Sequence, residues 1–291
     1  MTVPDNRTML DDRIEKDLTE LYNGGATPGN IKDALRLNGL IQAEDRQRSF
    51  ATRALPQYYV GNRKAKTVMV MLNPGCGVVK ANQSLKKNLE IRSMENAGDI
   101  ENYHTGSENF GHKDKKRPDT FDVKQAFFLR HWKGSGITLP QNLYPKCDKD
   151  IKLDAKEAVL TQKLQLELIP YASRSINNLN RQKIDLLVPF VETLFDDIFS
   201  EDRKYIIFCS RLFEDVFKVY NKQHPDTVIF ERIIPFDEMG KRSAKCSVIT
   251  IHYKTHKPLK AIIAHTFPSR ALSYRLMEIY GELCYKEYIK K

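Results

Sequence analysis

No apolar run in this 291-residue chain approaches the roughly 18 residues that a membrane-spanning helix needs. The first residues, MTVPDNRTMLDDRIEKD, lack the basic-then-apolar order of an export signal. Both absences predict a cytoplasmic protein with no membrane partner. Cysteine is sparse: Cys76, Cys147, Cys209, Cys246 and Cys284 are widely scattered and include no CxxC pair. That spacing argues against a zinc ribbon or a compact iron–sulfur site. An odd count in a chain without a signal predicts reduced thiols. No HExxH occurs, and His252 and His256, four apart, lie in a β-like stretch that ends at proline. Neither a P-loop nor a GxGxxG fingerprint is present. No metal and no cofactor are expected.

What the chain has is basic charge. Forty-seven Lys and Arg face 37 Asp and Glu, for a net charge of +10. A polyanionic partner is one reading of that excess, and an ordinary basic surface is the other. The 41% hydrophobic content supports a sizeable core, and 29% charged residues supply a well-wetted surface.

Along the chain, helical and strand patterns alternate. Residues 9–50 read as a helical N-terminal part, stopped once by Gly24-Gly25. TVMVML (67–72) is continuously apolar, as in a strand covered on both faces. Residues 92–120 are polar and rich in Asn, Gly, Asp, Lys and His, and predict a mobile surface loop. KLQLELIP (163–170), KYIIFCS (204–210), TVIFERIIPF (227–236), KCSVITIHY (245–253) and KAIIAHTF (260–267) supply further strands, with helices over much of the intervening sequence. The alternation predicts one α/β domain over 1–291, a three-layer α/β/α fold with a central, mainly parallel sheet.

In such sheets the working residues lie at the carboxyl ends of strands. Three polar strand ends stand out: Asn73-Pro74-Gly75, Glu167 to Ser173, and His265 to Ser273. By itself Asn-Pro-Gly is an ordinary turn. In a site, the Asn73 carboxamide oxygen holds a water, Pro74 fixes the backbone, and Gly75 lets a flat ligand approach the main chain.

MLNPG (71–75) resembles the first motif of the uracil-DNA glycosylase superfamily, closest to its mismatch-specific, thymine-glycosylase-like branch. AHTFPSRALSYRL (264–276) resembles the closing motif, in which a His ends the last strand and a Pro-Ser turn leads into a helix. YIIFCSRLFEDVF (205–217) matches the supporting strand and helix, and LELIPYASRS (166–175) stands where the base-reading strand is expected.

The resemblance implies a monofunctional DNA glycosylase that flips a base from DNA and hydrolyses its N-glycosidic bond. Asn73 would hold the attacking water, and His265 would donate to O2 of the departing base. Thr266 and Phe267 extend the family's closing motif, where Pro commonly follows His directly; His265 is otherwise a hydrogen-bonded structural residue. Gly75, where the strictly uracil-specific branch carries tyrosine, leaves room for a substituent at C5. Glu167 stands where that family commonly has Asn, and its carboxylate suits the N4 amine of a cytosine-type base. Alternatively, Glu167 pairs with a nearby cation such as Arg174. Gln165 shares a strand face with Glu167 and is the reader if the register slips by two. Tyr171, Phe267 or Trp132 would stack on the base, or simply fill the core.

For DNA contacts the resemblance points to Ser269 and Ser273 on phosphates, aided by the amides that open the last helix. Arg270 and Leu272 would enter the gap left by the flipped nucleotide. Ser173 and Arg174 are further phosphate contacts, and the basic cluster GHKDKKRP (111–118) touches DNA or is a solvated loop. The partner expected is therefore DNA, with no obligate protein partner and a monomeric state. Such an enzyme fits base-excision repair or defence against foreign DNA with modified cytosines. Two other readings stay open: a non-catalytic nucleic-acid-binding protein with this fold, and a hydrolase of free nucleosides or nucleotides.

Overall fold

The computed structural model describes residues 7–23, 28–42, 49–73, 120–173, 179–237, 244–267 and 272–290. Gly75, Arg174, Ser269, Arg270, the basic cluster and the expected loop up to residue 119 lie outside them. The chain divides into two compact units: residues 1–59, 71–103 and 166–201 form one, and 60–70, 104–165 and 202–291 form the other.

The first unit holds α1 (Met9–Tyr22), α2 (Lys32–Leu37) and α5 (Val188–Phe199). Thr8 caps α1 reciprocally with Asp11, so the helix starts where the capping-box pattern predicts. Pro189 stands in the first turn of α5, where its missing N–H has no helical acceptor to serve. Buried Leu10, Ile14 and Leu21 give α1 an apolar face, and α1 packs against α5. The Arg13 guanidinium lies 4.0 Å from the centre of the Phe190 ring, a cation–π contact.

The second unit carries α3 (Thr120–Leu129), α4 (Lys149–Gln162), α6 (Leu212–Gln223) and α7 (Tyr274–Ile289). The seven strands are β1 (Tyr59–Gly61), β2 (Thr67–Met71), β3 (Leu164–Glu167), β4 (Tyr205–Phe208), β5 (Val228–Phe236), β6 (Ala244–Ile251) and β7 (Leu259–Ile263). They make one sheet in the order β1-β3-β2-β4-β7-β6-β5. β2, β3 and β4 are buried along their whole length, as their continuous apolar runs predict.

The sheet is mixed, which corrects the expectation of a mainly parallel one. β2 runs parallel to β4, and β4 to β7, but β5–β6 and β6–β7 are antiparallel. The reason is the length of the connections. Segments 237–243 and 252–258 are shorter than the dozen or so residues that a parallel crossover needs, so the chain returns directly beside itself. β5 is the outer strand and alternates exposed and covered residues along most of its length, the pattern of a strand wetted on one face. Among the described residues no helix is long and apolar enough to cross a membrane.

Candidate active site at the strand ends

In the first unit, the chain just past β2 meets the chain just past β3. Leu168 N–H donates to Met71 O at 2.9 Å and Ile169 N–H to Leu72 O at 2.8 Å. These bonds carry the pairing beyond the strands and set Asn73 beside the segment that runs from Glu167 to Ser173. Asn73 is half-buried, and its Nδ2 donates to Ser173 Oγ at 2.8 Å. The contact fixes the orientation of the amide: nitrogen toward the serine, carbonyl on the other side. Ser173 is buried, 3% exposed, so its hydroxyl serves the asparagine in this structure.

Glu167 ends β3 with its side chain buried, and its N–H donates to Tyr58 O at 3.0 Å. Tyr171 is also buried, with Phe190 edge-on at 6.2 Å between ring centres. Its hydroxyl donates to Asp17 Oδ2 at 2.7 Å, and Tyr58 donates to the same oxygen at 2.6 Å. Asp17 has no exposed surface. Burial pushes its carboxyl above the ordinary range, against the two tyrosine hydrogen bonds and the charge of Arg13, which pull it down. Burial and the Asp17 charge push both phenols up. Tyr171 is thereby a prop beneath the strand end, tied through Asp17 to helix α1.

In the second unit, β7 runs into His265. Its backbone N–H donates to Tyr280 Oη at 2.9 Å, and Tyr280 in turn donates to Lys245 O at 2.7 Å. His265 Nδ1 lies 3.1 Å from Thr266 O. A carbonyl only accepts, so Nδ1 carries the proton, and Nε2 becomes a donor only in the imidazolium form. Phe267 and Trp132 are both buried in the aromatic cluster around Phe128, at 4.8 Å and 5.5 Å between ring centres. Leu272 has no exposed surface, so its side chain belongs to the core of this unit. Ser273 is exposed and caps α7, accepting from Leu276 N–H.

Gln165 lies in a polar cluster whose other members the sequence reading missed. Lys163 Nζ donates to Gln165 Oε1 at 3.1 Å, and Gln125 Nε2 donates to the same oxygen at 3.5 Å and to Asp122 Oδ1 at 3.4 Å. All four residues are buried. The available signal was local: Asp122 and Gln125 are three apart in the otherwise apolar-rich helix TFDVKQAFFL, and so share one face of it.

No family model, curated protein or solved structure matches the chain.

Proposed function

We propose that the protein is a monofunctional DNA glycosylase that removes a C5-modified, cytosine-type pyrimidine, built on a three-layer α/β/α fold. The Asn73–Ser173 contact carries the reading: two site residues chosen from the sequence, 100 positions apart, meet with the asparagine amide held in a defined orientation. The motif resemblance at residues 71–75 and 264–276 supplies the reaction class.

Asn73 takes no proton, so the reaction is stepwise. The C1′–N1 bond breaks first and its electron pair leaves with the base, giving an oxocarbenium-like sugar. The water held by the Asn73 carbonyl then adds to C1′, and its proton balances the base anion. Hydrolysis of this kind consumes only water and needs no cofactor. The protein's largest contribution is electrostatic, stabilising charge that exists only in the transition state. His265 as imidazolium donates Nε2–H to the departing base, and Glu167 accepts from the N4 amine. Gly75 leaves space at C5. Ser269, Arg270, Ser273 and Arg174 contact the DNA backbone, while Ser173 positions Asn73. The protein acts in this reading as a cytoplasmic monomer, in repair or in defence against modified foreign DNA.

The test is excision from duplexes that contain uracil, mismatched thymine or C5-modified cytosines, followed by alkaline cleavage at abasic sites. The parent should release a modified cytosine and Asn73→Ala should be slower by about a hundredfold or more, the scale of losing an oriented reactant. If both are inert on every duplex, while DNA is bound, the chain is a binding protein instead. Activity on free nucleosides alone would make it a nucleoside hydrolase.

A further inference from the structure

The cluster on α3 and β3 fixes the orientation of one amide and leaves its acceptor unused. The ammonium of Lys163 is only a donor, so the Gln165 atom that it meets at 3.1 Å is the oxygen Oε1. The Gln125 atom that approaches both Gln165 Oε1, at 3.5 Å, and Asp122 Oδ1, at 3.4 Å, must then be the nitrogen Nε2. Three buried neighbours thus dictate which way Gln125 faces. Its oxygen Oε1 has no hydrogen-bond partner, although the residue has no exposed surface.

Buried acceptors nearly always find a donor, because leaving one dry forfeits its full hydration. A side chain whose role was only packing would be apolar here. Holding the amide by its nitrogen, with its oxygen open, is what a recognition site for an N–H group needs. The carboxylate of Asp122 and the ammonium of Lys163 are both turned toward the amides that they orient, not used as ligands themselves. Gln165, the sequence's alternative base reader, lies in the same network.

We infer that Gln125 is a base-reading residue, whose Oε1 accepts from the exocyclic amine of a cytosine-type base. The inference rests on the glycosylase reading and goes beyond it, since neither motif contains Gln125. An amine at C4 presents a donor to this oxygen. A carbonyl at C4 presents a second acceptor, which repels it and leaves both without a proton to share. The residue therefore separates cytosine-type from uracil-type bases that carry the same C5 group.

The matched probes are two identical duplexes, one with 5-hydroxymethylcytosine and the other with 5-hydroxymethyluracil at the same position. Single-turnover excision is measured for the parent, Gln125→Met and Gln125→Asn, and binding of both duplexes is measured in the Asn73→Ala background. Methionine keeps the length and deletes the acceptor; asparagine keeps the amide but withdraws it by one methylene. The parent should prefer the cytosine duplex. Either variant should reduce that preference by about tenfold or more, the scale of one lost base-edge contact. If Gln125→Met does not fold, Gln125→Asn decides.

A folded variant with an unchanged ratio overturns the inference and leaves the glycosylase reading standing. Loss of thermal stability with an unchanged ratio has the same meaning, because Gln125 then only holds a water. A parent that prefers the uracil duplex also removes Gln125 from the role. A parent that neither binds nor excises from either duplex, nor from any other modified base, sinks the glycosylase reading and this inference with it.

Discussion

The side-chain amide of Asn73 donates to the hydroxyl of Ser173 at 2.8 Å across 100 residues of sequence. One hydrogen bond joins the ends of two strand segments, and it decides which face of the amide is left for a water.

Ser173→Ala should therefore slow excision without abolishing it. The variant keeps the carbonyl of Asn73 and loses only its anchor, a net hydrogen-bond contribution of about 0.5–1.5 kcal/mol. An expected loss of several-fold in single-turnover rate, with DNA affinity unchanged, distinguishes this role from the phosphate contact suggested by the resemblance. If affinity falls and rate holds, Ser173 contacts DNA.

Glu167→Gln should move base preference away from cytosine-type substrates. The carboxylate only accepts, whereas the amide both donates and accepts, so a carbonyl at C4 is no longer repelled. The ratio of excision rates for matched uracil-type and cytosine-type duplexes should rise by about tenfold, in keeping with the 1–3 kcal/mol of a base-edge contact. An unchanged ratio removes Glu167 as a reader.

Long apolar runs made part of this arrangement readable in the sequence. TVMVML has no polar residue on either face except its first threonine, so a strand covered on both sides was the natural reading, and Asn73 followed as its end. The turn back into antiparallel pairing was also legible, in the short segments 237–243 and 252–258, but strand patterns alone say nothing of direction. Gln125 was not legible. It meets Gln165 from 40 residues away, and its orientation depends on a lysine that a hydropathy pattern places at a surface. The Tyr58–Asp17–Tyr171 cluster was hidden for a similar reason: Asp17 lies in a charged-looking helix, MLDDRIEKDLTELY, whose buried face includes it.

Gly281 allows α7 to approach α3 closely. A Cβ at this position would lie 2.0 Å from Phe128 O, which is backbone and cannot swing aside. Gly281→Ala should push the two helices apart and strain the neighbouring bond from Trp132 Nε1–H to Gly281 O. Overpacking of this kind costs about 1–3 kcal/mol, and a larger cost is plausible on backbone contact. A drop in Tm of several degrees is expected by calorimetry; an unchanged Tm refutes the close approach.

Four of the five cysteines, Cys147, Cys209, Cys246 and Cys284, are buried. Burial pushes the Cys284 thiol up, with Cys246 as its neighbour, so the reactive thiolate is suppressed twice, by access and by protonation. Titration of the native protein with an aromatic disulfide reagent should find at most one fast thiol. In denaturant all five should react. Rapid modification of two or more native thiols contradicts this packing.

Asp17 makes stability depend on pH in a direction opposite to that of a salt-bridged carboxylate. Its folded pKa is raised, mainly by burial, above the ordinary carboxyl value of about 3.9 that it recovers on unfolding. Between those two values the folded protein binds more protons than the unfolded chain. The contribution of this group is therefore fully present below the unfolded value and is lost as pH rises through the folded one. Asp17→Asn removes the titration and keeps a carbonyl to accept from Tyr58 and Tyr171. The stability of Asp17→Asn relative to the parent should consequently improve as pH increases across the acid range, then level off. Asp17→Ala takes the acceptor from both hydroxyls and should be destabilised at every pH, by about 1–3 kcal/mol for each buried group that loses its partner. Denaturant melts of the three proteins at several pH values measure both effects. A parent-minus-Asn difference that is flat with pH, or that favours the parent increasingly as pH rises, shows that the carboxylate is stabilised in the fold and that burial is not the dominant influence on it.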